Sequence, residues 1–382
     1  MLPAAIPTAT SLYSPRGVWT DGTRLAVSDT GNHRVLIWHE IPTNDHAAAD
    51  VVIGQEDFNT EGPNHGGLVN GLNLPVGILI DNNRLIVADA WNHRVLVWNE
   101  VPTSNHVPPS YAIGQDDLES CEVNAGGQCS PASLYWPFGI GFAASRFWIA
   151  DTGNRRVLGW SKLPEPGDRP DVILGQSNGF ANEENRGGVS ASSFRWVHDV
   201  AGDSGMLYFA DAGNHRVMAW PGDTDVDGPA VAAIGQADFL STHEWAYGPQ
   251  SDSVLRFPYA VSSDDGHLAI ADTANNRIML YGDLPTLTMS AADAVIGQDD
   301  FSAYGENRWK AVTSDSLCWP YGVCLSGDTL AVADSGNNRV VVWSVEFSSS
   351  GLACKDPVGS TRGSLEPELG VLDLQSRAWK VG

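Results

Sequence analysis

A cation, an imidazole and two phenols occupy one position of a motif that recurs along this chain. They are Arg16, His198, Tyr259 and Tyr321, and each follows the proline, or in one case the valine, that leads a short apolar run. An arginine can orient an anion, a histidine can accept a proton and a tyrosine can donate a hydrogen bond. We therefore predict that these four residues converge, and that they are the catalytic residues if the protein is an enzyme.

Aromatic residues surround the same position in the sequence. Phe138 is the equivalent residue of another repeat, and a tryptophan lies two residues before three of these positions, at Trp136, Trp196 and Trp319. Flat aromatic rings can stack on a ligand. The pattern predicts an aromatic-lined pocket for a small molecule. The alternative is that the rings only fill a central channel.

Three histidines occupy a second repeated position, at His33, His93 and His215. They are candidate ligand-binding residues, because imidazoles gathered on one face could bind zinc. Zinc needs bonds of about 2.0–2.1 Å, however, and histidines from separate repeats would stand on a wide ring. Exposed turn residues are the favoured interpretation.

An acidic segment, GDTDVDGP, resembles the first half of a calcium-binding loop. Its carboxylates Asp223, Asp225 and Asp227 are the candidate metal ligands, and calcium or magnesium is the candidate divalent cofactor. The twelfth loop position is Ile234 rather than glutamate. A surface hairpin loop is therefore favoured.

These motifs belong to a repeat with six copies. The copies are LAVSDTGNHRVLIW, LIVADAWNHRVLVW, FWIADTGNRRVLGW, LYFADAGNHRVMAW, LAIADTANNRIMLY and LAVADSGNNRVVVW. Their aspartates are spaced by 60, 62, 60, 61 and 62 residues. A fixed period of this kind indicates a repeat architecture.

Each repeat contains four short β-strand signals. Two apolar runs, 25–27 and 35–38 in the first copy, flank an Asp-x-x-Asn-x-Arg turn; a third run follows a proline upstream, and a fourth ends in Ile-Gly-Gln or Leu-Gly-Gln downstream. Four antiparallel strands with Gly and Asp turns form one propeller blade. The sequence therefore predicts an all-β, six-bladed β-propeller.

The predicted propeller covers residues 1–350. Its blades lie near 12–55, 72–115, 134–176, 194–236, 255–298 and 317–345, and the last lacks the fourth strand signal. We expect the amino-terminal segment to supply that strand, because ring closure removes an exposed sheet edge. Residues 369–374 are the alternative source, and 351–382 are predicted to form a tail.

The Asp-x-x-Asn-x-Arg signature resembles the NHL-repeat family over roughly residues 12–345. In this turn the Asp and Asn can bond the backbone, and the Arg can reach a carboxylate or carbonyl. We therefore predict that the signature residues are structural.

The resemblance implies several functions. Some NHL proteins are peptidyl-hydroxyglycine lyases with a channel zinc, His ligands, an Arg and a Tyr; the residue types at Arg16, His198, Tyr259 and Tyr321 agree, but only one axial histidine matches. A looser similarity to bacterial NHL proteins of aromatic-pigment gene clusters, such as those for scytonemin, implies an indolic or phenolic substrate in secondary metabolism. Our main hypothesis is a propeller that binds a small aromatic molecule at the top of its central channel. If the protein is an enzyme, that molecule is its substrate. A non-catalytic protein-interaction scaffold is the alternative.

The net charge of the chain limits the classes of partner that it is expected to bind. The chain has 22 Lys and Arg against 46 Asp and Glu, a net charge of −24, which repels nucleic acid. An aromatic small molecule or a protein is the expected partner. No run of 18 apolar residues predicts a membrane span, and residues 1–15 show no signal-peptide pattern.

Cysteine usage bears on the compartment. Cys121 and Cys129 flank a Gly-rich segment short enough for a disulfide to close. A disulfide favours a periplasmic or secreted mature form. Two free thiols are the alternative, because the total of five cysteines is odd.

Overall fold

The computed structural model describes residues 6–203, 205–246, 248–348 and 351–353. Six antiparallel sheets form the blades of a β-propeller, which confirms the predicted fold class. The first five blades each have four strands that pair in chain order. Within the described ranges, no helix has the length and apolar character needed to cross a bilayer.

The strand bounds follow the repeat closely. Blades one and two contain β1 (Gly17–Thr20), β2 (Leu25–Asp29), β3 (Arg34–Trp38), β4 (Val51–Ile53), β5 (Ile78–Asp81), β6 (Arg84–Asp89), β7 (Arg94–Trp98) and β8 (Tyr111–Ile113). Blades three and four contain β9 (Pro137–Ala143), β10 (Arg146–Asp151), β11 (Arg156–Trp160), β12 (Val172–Leu174), β13 (Val197–Gly202), β14 (Met206–Asp211), β15 (Arg216–Pro221) and β16 (Ala232–Ile234). Blades five and six contain β17 (Pro258–Asp264), β18 (His267–Asp272), β19 (Arg277–Tyr281), β20 (Ala294–Ile296), β21 (Pro320–Ser326), β22 (Thr329–Asp334) and β23 (Arg339–Ser344). A hairpin follows, formed by β24 (Glu346–Ser348) and β25 (Gly351–Ala353).

Short 3₁₀ turns occupy two kinds of site. One kind joins the second and third strands of each blade, at Thr30–Asn32, Ala90–Asn92, Thr152–Asn154, Ala212–Asn214, Thr273–Asn275 and Ser335–Asn337. The other lies in connections between blades, at Val123–Gly126, Glu184–Gly187 and Glu306–Trp309. Both kinds lie on the face where the inner strands begin, which we call the top face.

The core lies between blades rather than inside any one of them. Val35 and Ile37 of blade one, for example, pack with Leu85 and Val87 of blade two in one buried cluster. A β-sheet buries its apolar faces only against another layer. In a closed ring every blade has a neighbour on both sides, so both faces of its central strands are apolar and buried.

Each repeat also buries a charged network at the top of the blade. In blade three, Asp151 Oδ2 accepts hydrogen bonds from Arg156 Nε at 2.7 Å and from Asn154 Nδ2 at 2.8 Å. Asp151 Oδ1 accepts one from the Tyr135 backbone amide at 2.8 Å. The Arg156 guanidinium also donates to three carbonyls, Gly179 at 2.7 Å, Ser130 at 2.8 Å and Ser133 at 2.9 Å. The six aspartates and arginines are buried, and the signature residues are structural, as predicted.

The glutamine of the Ile-Gly-Gln signal completes this network. Gln55 Nε2 donates to the His33 carbonyl at 3.2 Å and to the Gly62 carbonyl at 2.9 Å. Equivalent bonds are made in the next four blades. The fourth strand is thereby tied both to the turn and to the connection that follows it.

The amino-terminal segment crosses the junction between blades six and one. Leu12 is fully buried against both blades, Asn338 accepts the Ser14 amide at 2.8 Å, and the Ser335 hydroxyl donates to the Pro15 carbonyl. In the described residues blade six has three strands, and 6–11 form a turn rather than a strand. The segment predicted to supply the closing strand, PAAIPTAT at residues 3–10, lies partly outside the described residues, and its described part is not a strand. The alternative source, 369–374, lies wholly outside the described residues. The β24–β25 hairpin spans the predicted domain boundary at residue 350.

We predict that Arg156→Met destabilises the protein by about 3–5 kcal/mol, because it leaves the buried Asp151 carboxylate without its counterion. The control is Arg24→Met, whose pair with Asp21 at 2.9 Å is partly exposed and should contribute less than about 1 kcal/mol. Urea unfolding midpoints measure both effects. Equal midpoints for the two variants would contradict a structural role for the buried network.

Candidate functional site

Six equivalent residues form a ring at the top of the central channel, one from the start of each inner strand. They are Arg16, Val76, Phe138, His198, Tyr259 and Tyr321. In blades three to six the inner strand has a register shift at this position, between Pro137 and Ile140 in blade three for instance. A bulge re-aims a side chain without ending the strand. The ring side chains of these four blades are thus placed by irregularities that recur at one position.

The predicted residues are in contact around this ring. The Arg16 Cζ atom lies 4.6 Å from the centre of the Tyr321 ring. Ring centres are 4.6 Å apart for Tyr321 and Tyr259, 4.2 Å for Tyr259 and His198, and 4.8 Å for His198 and Phe138. The structure therefore brings Arg16, His198, Tyr259, Tyr321 and Phe138 together, in blade order, at the axis.

Arg16 is the one charged member of the ring at neutral pH. Burial, together with the Arg16 charge, lowers the pKa of His198 to about 3. Burial, assisted by Tyr321 and opposed by Arg16, raises the pKa of Tyr259 to about 12. At neutral pH the imidazole is therefore unprotonated and the Tyr259 phenol protonated. Arg16 carries a positive charge, since guanidinium stays protonated in proteins.

Arg16 has no anionic partner in the described part of the chain. Its guanidinium makes no hydrogen bond or ion pair there, and its Nε atom is buried without an acceptor. Each arginine of the repeat signature, by contrast, is locked against an aspartate. Arg16 is thus available to an anion from outside the protein.

The ring forms one wall of a cavity of about 230 Å³ on the propeller axis. Inner strands of all six blades line the cavity, as far down as Thr20, Gly202 and Ser326. The Ser263 hydroxyl in this wall is buried without a hydrogen-bond partner among the described residues. Ligand sites commonly measure about 300–1,000 Å³. This cavity is smaller than that range, so it suits a small molecule of one or two rings.

Asp199 also lines the cavity, and the sequence analysis did not select it. Its Oδ2 atom accepts the Val261 amide of blade five at 3.0 Å. Burial raises the pKa of this carboxyl to about 7, against the lowering effect of the Val261 and Val200 amides. The signal in the sequence was the alignment of Asp199 with small residues, at Gly17, Gly77, Gly139, Ala260 and Gly322.

Trp91 is a second residue that was missed. It stands in the turn where the other repeats have Gly or Ala, at Gly31, Gly153, Gly213, Ala274 and Gly336. In blades one and three a tyrosine fills the adjacent space, so a Cβ at Gly153 would lie 2.5 Å from Tyr135. Blade two has Asn73 there, which leaves room for Trp91 to stack on Phe138, with 5.7 Å between ring centres and 18° between planes.

The three predicted tryptophans surround the mouth of the channel. Trp136 lies 5.6 Å from Trp91 between ring centres. Trp196 is 41% exposed beneath the Arg195 guanidinium, whose Cζ lies 5.3 Å from its ring centre. Trp319 is 37% exposed and donates from Nε1 to Glu306 at 2.8 Å. They form an aromatic entrance above the ring, with surface open to solvent.

Comparison with known proteins agrees with the repeat. A family model for the NHL repeat matches residues 72–98 and 317–343, in blades two and six. NHL repeat-containing protein 2 is similar to 85% of this chain in Homo sapiens and in Gallus gallus, with 25% identity over 357 and 358 residues. The chain contains NHL repeats. It spans 45% of the length of these curated relatives.

Solved structures with a similar architecture share little sequence with this NHL propeller. Virginiamycin B lyase from Staphylococcus aureus has a TM-score of 0.44 and 10% identity, covering 91% of this chain and 85% of its own. The WD40 propeller domain of Doa1 has a TM-score of 0.49 and 13% identity, covering 89% and 95% respectively. The similarity to bacterial pigment-pathway NHL proteins stays a prediction.

The three turn histidines link neighbouring blades of the NHL propeller. His33 Nδ1 accepts the Leu74 amide at 3.1 Å, His93 Nδ1 the Trp136 amide at 3.2 Å, and His215 Nδ1 the Phe257 amide at 3.3 Å. All three adopt left-handed backbone conformations, and His93 and His215 are buried. The interpretation as exposed turn residues was therefore wrong, because the next blade covers them. Their role as ligand-binding residues stays a prediction.

Asparagine replaces the histidine in two other blades. Asn276 accepts the Trp319 amide at 2.8 Å, and Asn338 accepts that of Ser14. Blade three instead has Arg155, which has no acceptor atom. Blade four departs from the repeat at the same junction, where Trp196 precedes a valine rather than a proline.

The acidic segment gives no assembled metal site. In the described residues, no group of three or more His, Cys, Asp or Glu is arranged to hold a metal ion. Asp227 pairs with Arg186 at 2.6 Å. A calcium or magnesium site at Asp223, Asp225 and Asp227 stays a prediction.

The cysteine prediction was wrong. Cys121 and Cys129 are both free thiols. Cys129 is buried, and its Sγ lies 3.8 Å from the Gly179 carbonyl and 3.7 Å from that of Ala181 in the next connection. The thiol therefore packs against the neighbouring blade rather than against Cys121.

We predict that the double variant His93→Asn, His215→Asn reduces the loss of stability at acid pH. Burial lowers the pKa of both histidines to about 4, below the unfolded value near 6.5. Their contribution is therefore present above about pH 6.5 and lost as the pH falls toward about 4, when protonation removes the acceptor. Asparagine accepts the same amide and does not titrate.

Melting temperatures of the wild type and the double variant between about pH 7.5 and pH 5 measure this effect. The control is His39→Asn, because His39 is exposed and lies 3.6 Å from Asp50. We expect the melting temperature to fall less with acidity in the double variant than in the control. An unchanged acid sensitivity would exclude these histidines as its source.

Proposed function

We propose that this NHL propeller binds a small aromatic molecule that carries an acidic group, at the top of its central channel. The observation that carries the proposal is the Arg16 guanidinium, which lies over Tyr321 and has no acidic partner in the described part of the chain. Arg16 is half-buried, and a partly desolvated cation without a counterion is unfavourable. A ligand carboxylate would supply two charge-assisted hydrogen bonds in the planar geometry of the guanidinium.

The aromatic preference follows from the remaining surfaces of the site. Phe138, Tyr259 and Tyr321 line the cavity, and Trp91 stacks on Phe138 from above. A stacked aromatic pair contributes about 0.5–1.5 kcal/mol beyond the burial of its area. An indolic or phenolic acid would combine this stacking with the charge of Arg16.

The positive charge of Arg16 must attract the ligand although the net negative charge of the protein repels anions. The chain carries a net charge of −24, which disfavours the approach of any anion. A single guanidinium in a cavity of low dielectric acts at short range, where its attraction is less screened. The proposal therefore predicts selectivity for anions that fit the cavity, rather than general anion binding.

Binding is proposed in preference to acid–base catalysis. A pKa of about 3 makes the His198 imidazole a weak base at neutral pH, whereas an efficient general base titrates near the working pH. The imidazole can still accept a hydrogen bond from a phenolic hydroxyl or an indole N–H. His198 is thus assigned to orienting the ligand, with Tyr259 and Tyr321 beside it.

The residues present do not fit a zinc lyase. The ring supplies one imidazole, His198, and the described residues contain no group of three or more protein ligands arranged for a metal. A catalytic zinc needs three such ligands. No metal-dependent step is therefore proposed.

We expect Arg16→Met to weaken the binding of indole-3-acetate and 4-hydroxyphenylacetate at least tenfold, and that of neutral indole by less than threefold. His198→Ala should weaken the binding of both 4-hydroxyphenylacetate and indole, because each loses the imidazole that accepts its hydrogen bond. Isothermal titration calorimetry measures each affinity. Arg169→Met is the matched control, because Arg169 is an exposed arginine of blade three and its loss changes the net charge equally.

Equal affinity of the acids for the wild type and Arg16→Met would overturn the proposal. Absence of binding to the wild type would also overturn it. That result would favour the interaction scaffold, which would bind a protein partner at the rim of the propeller rather than in its channel.

A further inference from the structure

The repeat keeps the position after each ring residue small for a geometric reason. A Cβ at Gly17 would lie 1.9 Å from the Val76 carbonyl oxygen, and one at Gly77 would lie 2.3 Å from that of Phe138. The inner strand of the next blade passes that closely. Blade four alone carries a functional group there, at Asp199, and its Oδ2 reaches the Val261 amide of blade five at 3.0 Å.

Asp199 has no cationic partner in the described residues. No arginine, lysine or histidine forms an ion pair with it there, and the hydrogen bonds to its carboxylate come from backbone amides. A carboxylate has about four acceptor sites, so capacity remains for a further donor. The group borders the axial cavity, which is the open space next to it.

Arg16 and Asp199 do not neutralise one another, although they line the same cavity. In the described residues, no ion pair or hydrogen bond joins the two side chains. The two residues come from blades one and four, which are opposite in a ring of six. The cavity thus has an unpaired cation on one side and an unpaired carboxyl on the other.

We propose that the channel ligand bears two opposite charges at its two ends, with a carboxylate bound by Arg16 and an ammonium group bound by Asp199. This inference rests on the proposed function, and it names the ligand class more closely: an aromatic amino acid in the broad sense, whose amine and acid lie on opposite sides of the ring. Because Arg16 and Asp199 belong to opposite blades, the two charged groups are placed at the two ends of the ligand. The aromatic part would lie between them, against Tyr259, Tyr321 and Phe138.

A purely structural role for Asp199 makes a different prediction. Its carboxylate could serve only to accept the Val261 amide. Asp199→Asn separates the two roles, because the side-chain amide keeps an acceptor oxygen for Val261 and loses the charge. Under the structural role, this variant binds every ligand as the wild type does.

Three matched probes test the proposal with the full chain. They are 4-(aminomethyl)benzoate, which has both charges, 4-methylbenzoate, which has only the acid, and 4-methylbenzylamine, which has only the amine. Calorimetric titrations at about pH 8 keep Asp199 largely ionised, since its pKa is raised to about 7. Glu100→Gln is the control, because it removes an exposed acid and changes the net charge equally.

We expect the wild type to bind the doubly charged probe at least tenfold more tightly than 4-methylbenzoate. Asp199→Asn should abolish that advantage and leave the affinity for 4-methylbenzoate within about twofold. Asp199→Gly, which restores the residue of the neighbouring repeats, should behave like Asp199→Asn. Near-ultraviolet circular dichroism of each variant checks that the aromatic ring is intact.

Each contrary result has a distinct meaning. If 4-methylbenzoate binds but the ammonium group brings no gain, or if Asp199→Asn binds the doubly charged probe as tightly as the wild type, the second charge site is excluded and the anion site at Arg16 stands. If no acid binds the wild type, both the inference and the proposed function fail.

Discussion

The buried carboxylate at the top of each second strand is the constraint on which the rest of the propeller depends. In blade one, Asp29 receives the Tyr13 amide on one oxygen, and the Asn32 amide and the Arg34 guanidinium on the other. Arg34 in turn holds carbonyls of the segment entering the blade and of the connection leaving it. Burial of these charges is tolerable because every bond of the pair is made inside the protein.

The same network recurs in all six blades, so side chains at other positions distinguish one blade from another. The residue after the strand-leading proline always meets the axis, and the next one always meets the adjacent blade. At such positions a departure from the common residue changes the channel and leaves the fold unchanged. Arg16 and His198 occupy the first of these positions and Asp199 the second, while Trp91 departs from the repeat in the turn above them.

The environment, rather than the residue type, separates the arginine of the ring from those of the repeat. Arg34 and its equivalents are fully paired and buried, so they contribute to stability and offer nothing to a ligand. Arg16 instead lies over Tyr321, beside an imidazole that its charge and burial keep neutral. In a strongly acidic protein, this arrangement places a positive charge without an acidic partner among the described residues at the axis.

The sequence by itself determined the six blades, the strand order within a blade, the structural role of the Asp-Asn-Arg signature and the set of residues that meet at the axis. All of these follow from a local period repeated six times, which is visible without coordinates.

The tertiary structure alone decided how blades contact one another. His33, His93 and His215 look like exposed turn residues locally, but each accepts an amide 41 to 43 residues away. Likewise Cys129 lies against the next connection instead of bonding to Cys121. Asp199 and Trp91 were visible as exceptions to the repeat, but only the close approach of neighbouring strands, and the space left by Asn73, decided where their side chains lie. Partners across a blade junction are far apart in the chain, and no local periodicity encodes them.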